Sequence, residues 1–375
     1  MKASLFLILL MIGLESLAQT DSTASKLKFG GDFRFRIEHD WNSQNSSGVA
    51  RDDRSRLRYR FRYGIHYSLD KNSSFGARLR TGNTNDQQGP HITIGGNEGE
   101  FGLVKIGFEK LFYEYQSKNF TGWVGKNTIP IKKINELFWN DNVFPEGIAL
   151  KYWLHLGENS AIPSVGINAG HFIIRSSNKT FDKDSYLQVL QFESSIWDRI
   201  TVFPAFYYFN QVGNFPDGQE TFHIDYSIFH LGSLFKITKN LNFGAELYAN
   251  LEDYSKNDSI PSNLQDQKQG IVLSAKYGKV KKKGDWLFHL YYAHLEKFAV
   301  VDYFAQNDWA RWDYSSIDAA GSRITNFQGV EARIGYAIKE NFNLILRTYF
   351  VEELKKVGIF KENGSRIRLD LNIGF

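Results

Sequence analysis

The chain has 375 residues, no cysteine and a formal net charge of +4. The missing cysteines exclude disulfides, thiolate metal sites and cysteine nucleophiles, and so small a charge gives no argument for a nucleic-acid partner. Aromatic residues make up 15% of the chain, proline is scarce at seven, and the mean hydropathy is −0.37, a balance that suits strands of which only alternate residues are apolar.

Lys2 supplies a positive start, Leu5 to Leu14 an apolar run of ten residues, and Ser16-Leu17-Ala18 a small-residue cleavage site before Gln19. This predicts a signal peptide over 1–18 and one domain over 19–375. The apolar run falls short of the roughly 20 residues of a spanning helix, and no later segment approaches that length, so helical spanning is excluded.

The first predicted strand runs near Leu27 to His39. Leu27, Phe29, Phe33, Phe35 and Ile37 share one face, and Lys28, Asp32, Arg34, Arg36 and Glu38 the other. The second, Arg54 to Tyr67, alternates more cleanly: Leu57, Tyr59, Phe61, Tyr63, Ile65 and Tyr67 oppose Arg56, Arg58, Arg60, Arg62 and His66. A turn at Asp70-Lys71-Asn72 leads to a third strand, with Phe75, Ala77 and Leu79 against Arg78 and Arg80. Further strands fall near 101–115, 120–126, 148–156, 163–174, 186–197, 200–210, 222–236, 241–252, 270–277, 286–295, 328–338, 342–351 and 366–375.

Period-two patterning gives each strand one oily and one wet face. In hydrocarbon, a sheet leaves no backbone unpaired only when it closes on itself. The fold class predicted is therefore all-β: a transmembrane antiparallel up-and-down barrel of about sixteen strands. Fourteen to eighteen stay open, because strands four, eight, nine and ten alternate poorly. Tight turns such as 238–240 and 339–341 alternate with long segments at 82–100, 127–147, 253–269 and 296–327, as short periplasmic turns alternate with long outer loops. Lys279-Val280-Lys281-Lys282-Lys283 falls on the periplasmic side and reads as a solvated basic turn.

Ten of the eighteen arginines precede residue 81. Closure pairs the last strand with the first, so one arc gathers Arg333, Arg347, Arg366, Arg368, Arg34, Arg36, Arg56, Arg58, Arg60, Arg62, Arg78 and Arg80. An Arg facing lipid at the midplane costs roughly 2–4 kcal/mol, so this face is assigned to the lumen as pore lining. Guanidiniums stay charged and focus a field that concentrates anions, which reads as a water-filled, anion-favouring pore. Bracing of the wall by Asp32, Glu38, Glu331 and Asp370 is the other reading, and both stay open.

The segment 127–147 is unusually apolar for an outer loop. Ile131, Ile134, Leu137 and Phe138 sit at helical spacing, which predicts a short amphipathic helix. Folded inward it narrows the pore and brings Lys126, Lys132, Lys133 and Glu136 to a constriction; packed on top it forms a lid.

Enzyme chemistry is not expected. Nine histidines are scattered, and no HExxH, GxSxG or phosphate-cradling glycine loop is present. The loop acids Asp302, Asp308, Asp313 and Asp318 are read as solvating their loop in preference to binding calcium. Trp309 and Trp312, flanking Arg311, are read as packing within the loop in preference to stacking on sugars. No cofactor and no metal is expected.

Three stretches carry a resemblance to a known family: Gly31-Asp32-Phe33-Arg34-Phe35-Arg36-Ile37-Glu38; Asp53-Arg54-Ser55-Arg56-Leu57-Arg58-Tyr59-Arg60; and Gly125-Lys126 followed by Pro130, Leu137, Trp139, Asp141 and Pro145-Glu146-Gly147. Over its first 150 residues the chain resembles the putative porins of Gram-negative outer membranes, relatives in architecture of the phosphate-selective and alginate-export barrels. The resemblance implies a passive channel in the outer membrane, in contact with its lipid and lipopolysaccharide, with small solutes as the cargo. A specific exporter for acidic oligosaccharides is the alternative. The terminal Phe375 on its alternating strand resembles the signal that outer-membrane barrels present to the barrel-assembly machinery, and a sixteen-strand count is compatible with a homotrimer.

Overall fold

The computed structural model describes residues 26–96, 101–157, 160–213, 223–309 and 325–375; the predicted signal peptide, Arg311, Trp312, Asp313 and Asp318 lie outside them. Sixteen long strands follow one another: β1 (Leu27–Gln44), β2 (Arg54–Ser68), β3 (Ser73–Thr81), β4 (Ile106–Gln116), β5 (Phe120–Lys126), β6 (Glu146–His155), β7 (Ser164–Arg175), β8 (Ser185–Ile196), β9 (Ile200–Gly213), β10 (His223–Lys236), β11 (Leu241–Asn250), β12 (Gln269–Gly278), β13 (Trp286–Leu295), β14 (Phe327–Lys339), β15 (Phe342–Glu353) and β16 (Asn363–Gly374). Each pairs antiparallel with the next, and β16 returns to β1 in register from Asp32↔Gly374 to Asp40↔Arg366. The barrel predicted from alternation is therefore the barrel observed, with the same sixteen strands. The first is longer than its pattern suggested and keeps pairing to Gln44.

Side chains alternate as the period requires. On β2, Leu57, Phe61, Ile65 and Tyr67 point outward and are exposed on the isolated chain, while inward Arg60 is buried. The turns at one end are short. At the β8–β9 turn Trp197 and Asp198 take φ of 47° and 55°, the left-handed pair that matches a hairpin's twist, here without glycine. At the seam the Gly31 N–H donates to the Phe375 carbonyl at 2.9 Å, and the Phe375 N–H returns a bond to the Gly31 carbonyl at 3.1 Å. A Cβ on Gly31 would stand 2.4 Å from the Arg62 carbonyl oxygen, so this crossing needs glycine.

The long loops fold inward. Leu137, Phe138 and Trp139 from the segment after β5, and Phe298, Val300, Phe304 and Trp309 from the segment after β13, are buried with Tyr207, Phe209, Tyr226 and Tyr248 of the wall in one apolar cluster. The helix predicted within 127–147 is absent: the segment runs as bends and turns. Its backbone donors go to the wall instead. The Lys132 N–H bonds the Gln191 side-chain oxygen at 2.6 Å, and the Ile134 N–H bonds Glu246 at 3.2 Å. Pro130 removes a further donor.

Candidate functional site

β1 lies between β2 and β16, and register decides which inward groups meet. Against β2, Asp32 faces Arg62, Arg34 faces Arg60, Arg36 faces Arg58, Glu38 faces Arg56 and Asp40 faces Arg54. Against β16, Arg36 faces Asp370, Glu38 faces Arg368 and Asp40 faces Arg366. Like charges directly opposite destabilise a sheet, and carboxylates opposite on the other neighbouring strand or one step along the diagonal relieve them. Arg36 donates to Asp370 at 2.6 Å, Arg60 and Arg62 donate to Asp32 at 2.5 and 2.7 Å, and Arg56 pairs with Glu38. Arg366 donates to Asp40 at 2.6 Å, and Glu331 accepts from Arg333 at 2.8 Å with Arg347 at 3.6 Å.

The four predicted bracing acids all pair. Three more partners escaped the sequence reading. Asp40 extends the first strand's pattern past its predicted end. Glu109 receives Arg78 at 2.5 Å and Arg80 at 3.7 Å, placed by a register shift between β3 and β4 that breaks simple alternation. Asp308 comes from the loop after β13 and pairs with Arg368 and, at 3.7 Å, with Arg366. It does not solvate an outer loop as expected, and neither does Asp302, which is 2% exposed and 3.3 Å from Lys297. Burial alone would raise the Asp308 carboxyl, but Arg368, Arg36, Arg366 and Arg347 together hold it well below the usual carboxylate range.

On the opposite wall the inward groups are dry. Phe138 lies parallel to Tyr248 at 5.5 Å and 4.3 Å from the Tyr207 ring. Trp139 stacks on Phe304 at 4.8 Å, which stacks on Phe209 at 6.0 Å. Trp309, expected to pack within its loop, is buried instead against Phe327 of β14 and Tyr349 of β15, on the wall that carries the arginines. One side chain joins the loops across the lumen. Gln88 donates to the Tyr303 and Ala305 carbonyls at 2.6 and 2.9 Å and accepts from Asn140 at 2.7 Å.

What stays open is a cavity of about 480 Å³ between the loops and the arginine arc. Arg34, Arg36, Arg56, Arg58, Arg60, Arg62, Arg347, Arg366 and Arg368 line it, with Asp86, Glu136, Asp141 and Asp308 as its carboxylates. His91 also lines it, and burial, then Arg36, Arg60, Arg34 and Arg58, push its imidazole well below its ordinary value, so it stays neutral. Arg80 and Lys126 line a second cavity of about 520 Å³. Arg78 lies 5.1 Å over the Phe144 ring, and Arg333 packs 4.5 Å over Tyr291, off the arginine-lined cavity. Of the four groups expected at a constriction only Glu136 reaches it. Lys126 pairs with Glu146 at 2.6 Å, Lys133 with Asp141 at 2.5 Å, and the Lys132 backbone is held by Gln191.

A family model described as putative porin matches residues 47–222; the match takes in two of the three stretches that carried the resemblance, begins after Gly31–Glu38, and runs on through β9. A triple mutant of the Rhodopseudomonas blastica porin is similar in structure, with a TM-score of 0.52 and 13% identity over 92% of this chain and 100% of that one. A structure described as asymmetric conductivity of engineered proteins gives the same four values. At that identity the likeness establishes the fold, a closed sixteen-strand porin barrel. No curated protein matches the sequence.

Proposed function

From the premise of a chain with the putative porins' sequence pattern and a porin's barrel, we propose an outer-membrane diffusion channel that favours small anions, with the arginine arc as its pore lining. One observation carries the reading: nine guanidiniums and four carboxylates face the same open space. The arc stays positive after bracing, and a low-dielectric wall focuses its field on passing solutes. Export follows the signal peptide over 1–18, and insertion follows display of Phe375 to the assembly machinery. A homotrimer is compatible with the strand count, and sedimentation in detergent reads it directly.

The reversal potential of the purified protein in a planar bilayer under a KCl gradient tests the selectivity. Anion preference is expected, reduced when Arg34→Gln and Arg60→Gln are combined; a cation-selective wild type overturns the reading. The second reading, passage of acidic oligosaccharides, is favoured by the carboxamides facing the arc: Asn83, Asn85, Gln88, Asn140 and Asn142 line the same cavity and suit sugar hydroxyls. Liposome swelling separates the two. Entry of small neutral sugars supports the diffusion channel, and exclusion of them with entry of uronic-acid oligomers supports the exporter.

A further inference from the structure

The charge of the short-turn rim is not used by the pore. The turns between β10 and β11 and between β12 and β13 carry Lys239, Lys279, Lys281, Lys282 and Lys283, all exposed. The only carboxylate in those turns, Asp285, is occupied by the backbone, accepting the Lys281 and Lys282 N–H groups at 3.1 and 3.0 Å. Hydrogen bonds knit this turn to its neighbours on both sides. The Gly278 N–H donates to the Asn240 carbonyl at 2.9 Å, and the Gly284 N–H to the Ala337 carbonyl at 2.8 Å. The lysines therefore share one continuous stretch of rim.

Their depth is fixed by aromatic rings. Trp286 is 52% exposed on the outward face and packs against Tyr336 with ring centroids 4.9 Å apart, and outward Tyr277 is 51% exposed. Amphipathic rings settle where acyl chains meet headgroups. Lys279 directly follows the end of β12, and its N–H donates to the Trp286 carbonyl at 3.0 Å. That backbone bond holds Lys279 beside Trp286, at the level of its aromatic neighbours. Val280 turns to the lumen side, where its methyl stands 3.0 Å from the position a Cβ would take on Gly335.

We propose that this rim binds anionic phospholipid headgroups of the inner leaflet, with Lys279 and Trp286 at the membrane edge and Lys239, Lys281, Lys282 and Lys283 supplying the attraction. The ligand is a phosphodiester lipid with net negative charge, distinguished from zwitterionic lipid by Coulomb attraction that salt screens.

The test uses the full barrel in vesicles of mixed phosphatidylethanolamine and phosphatidylglycerol, extracted gently, with the retained lipid measured by mass spectrometry. Phosphatidylglycerol should be enriched roughly fivefold or more over its bulk share. The enrichment should fall to the bulk ratio when Lys279, Lys281, Lys282 and Lys283 are all replaced by Gln, and persist when all four are replaced by Arg. Heat-modified mobility on a gel confirms that each variant is folded. Equal retention of the two lipids by the wild type, or enrichment that survives the Gln replacements, overturns the proposal. So does a wild type indifferent to lipid that sediments with peptidoglycan. Ion selectivity is measured on the same samples; it should not move in the Gln variant, which keeps this result separate from the channel reading.

Discussion

Two walls of one barrel are built from the same alternation and end in opposite states. The wall of β14 to β16 and β1 to β3 turns arginines inward, braces them with carboxylates and leaves a wet cavity in front. The wall of β8 to β11 turns Leu187, Val189, Tyr207, Phe209, Tyr226, Ile228 and Tyr248 inward, all buried in one cluster with the loops. Inward therefore does not mean wet. The lumen of this barrel is narrowed by its own long loops, which cover part of the inner face, and the covered part is apolar because it is a core.

That contrast explains what the sequence made legible. On β1 and β2 one face meets lipid and the other meets water and charge, so polarity switches at every residue. On β8, outward Leu190 and Phe192 alternate with inward Leu187 and Val189, so both faces are apolar and the period fades. Strands eight, nine and ten alternated poorly because their inner face is dry. Bracing by Asp32, Glu38, Glu331 and Asp370 could be read because parity alone places them. Glu109 and Asp308 could not: one depends on a register shift and the other on how a loop folds back across the lumen.

The largest expected effect comes from undoing the dry wall. Phe138 fills the space between Tyr207 and Tyr248, and Phe138→Ala should cost roughly 3–5 kcal/mol of loop docking. With the segment after β5 released, single-channel conductance should rise and anion preference weaken as solute passes farther from the arginines. A variant with unchanged conductance and an unchanged melting midpoint would mean that the loops do not define the open space.

Next is Asp308, where a loop crosses from the dry side to the wet wall. Asp308→Asn leaves Arg368 and Arg366 short of a charge in a buried site and should cost up to roughly 3–5 kcal/mol, less where Asp40 and Asp370 compensate. Its folded carboxyl is held below the unfolded value of about 3.9. The stability it contributes is thus fully present above that value and lost as pH falls toward the folded one. Current noise from the wild type should increase below about pH 4, while the Asn variant, already lacking the pair, should show no such onset. An onset at the same pH in both would assign it to another carboxylate.

The smallest effect expected is at the Gln88 bridge. Gln88→Ala removes the bonds to the Tyr303 and Ala305 carbonyls and from the Asn140 amide, a local cost of about 1–3 kcal/mol, yet removes no charge and no apolar surface from either wall. Backbone bonds from Asn140 to Phe304 and from Gln306 to Glu136, at 2.8 and 3.0 Å, still link two of the three loops. The variant should therefore keep its selectivity and melting midpoint, while the segment 83–91 exchanges its amide hydrogens about tenfold faster or more. If selectivity shifts with the exchange, the position of that segment, and not the arginine wall alone, sets which ions pass, and the two walls cannot be treated as separable parts.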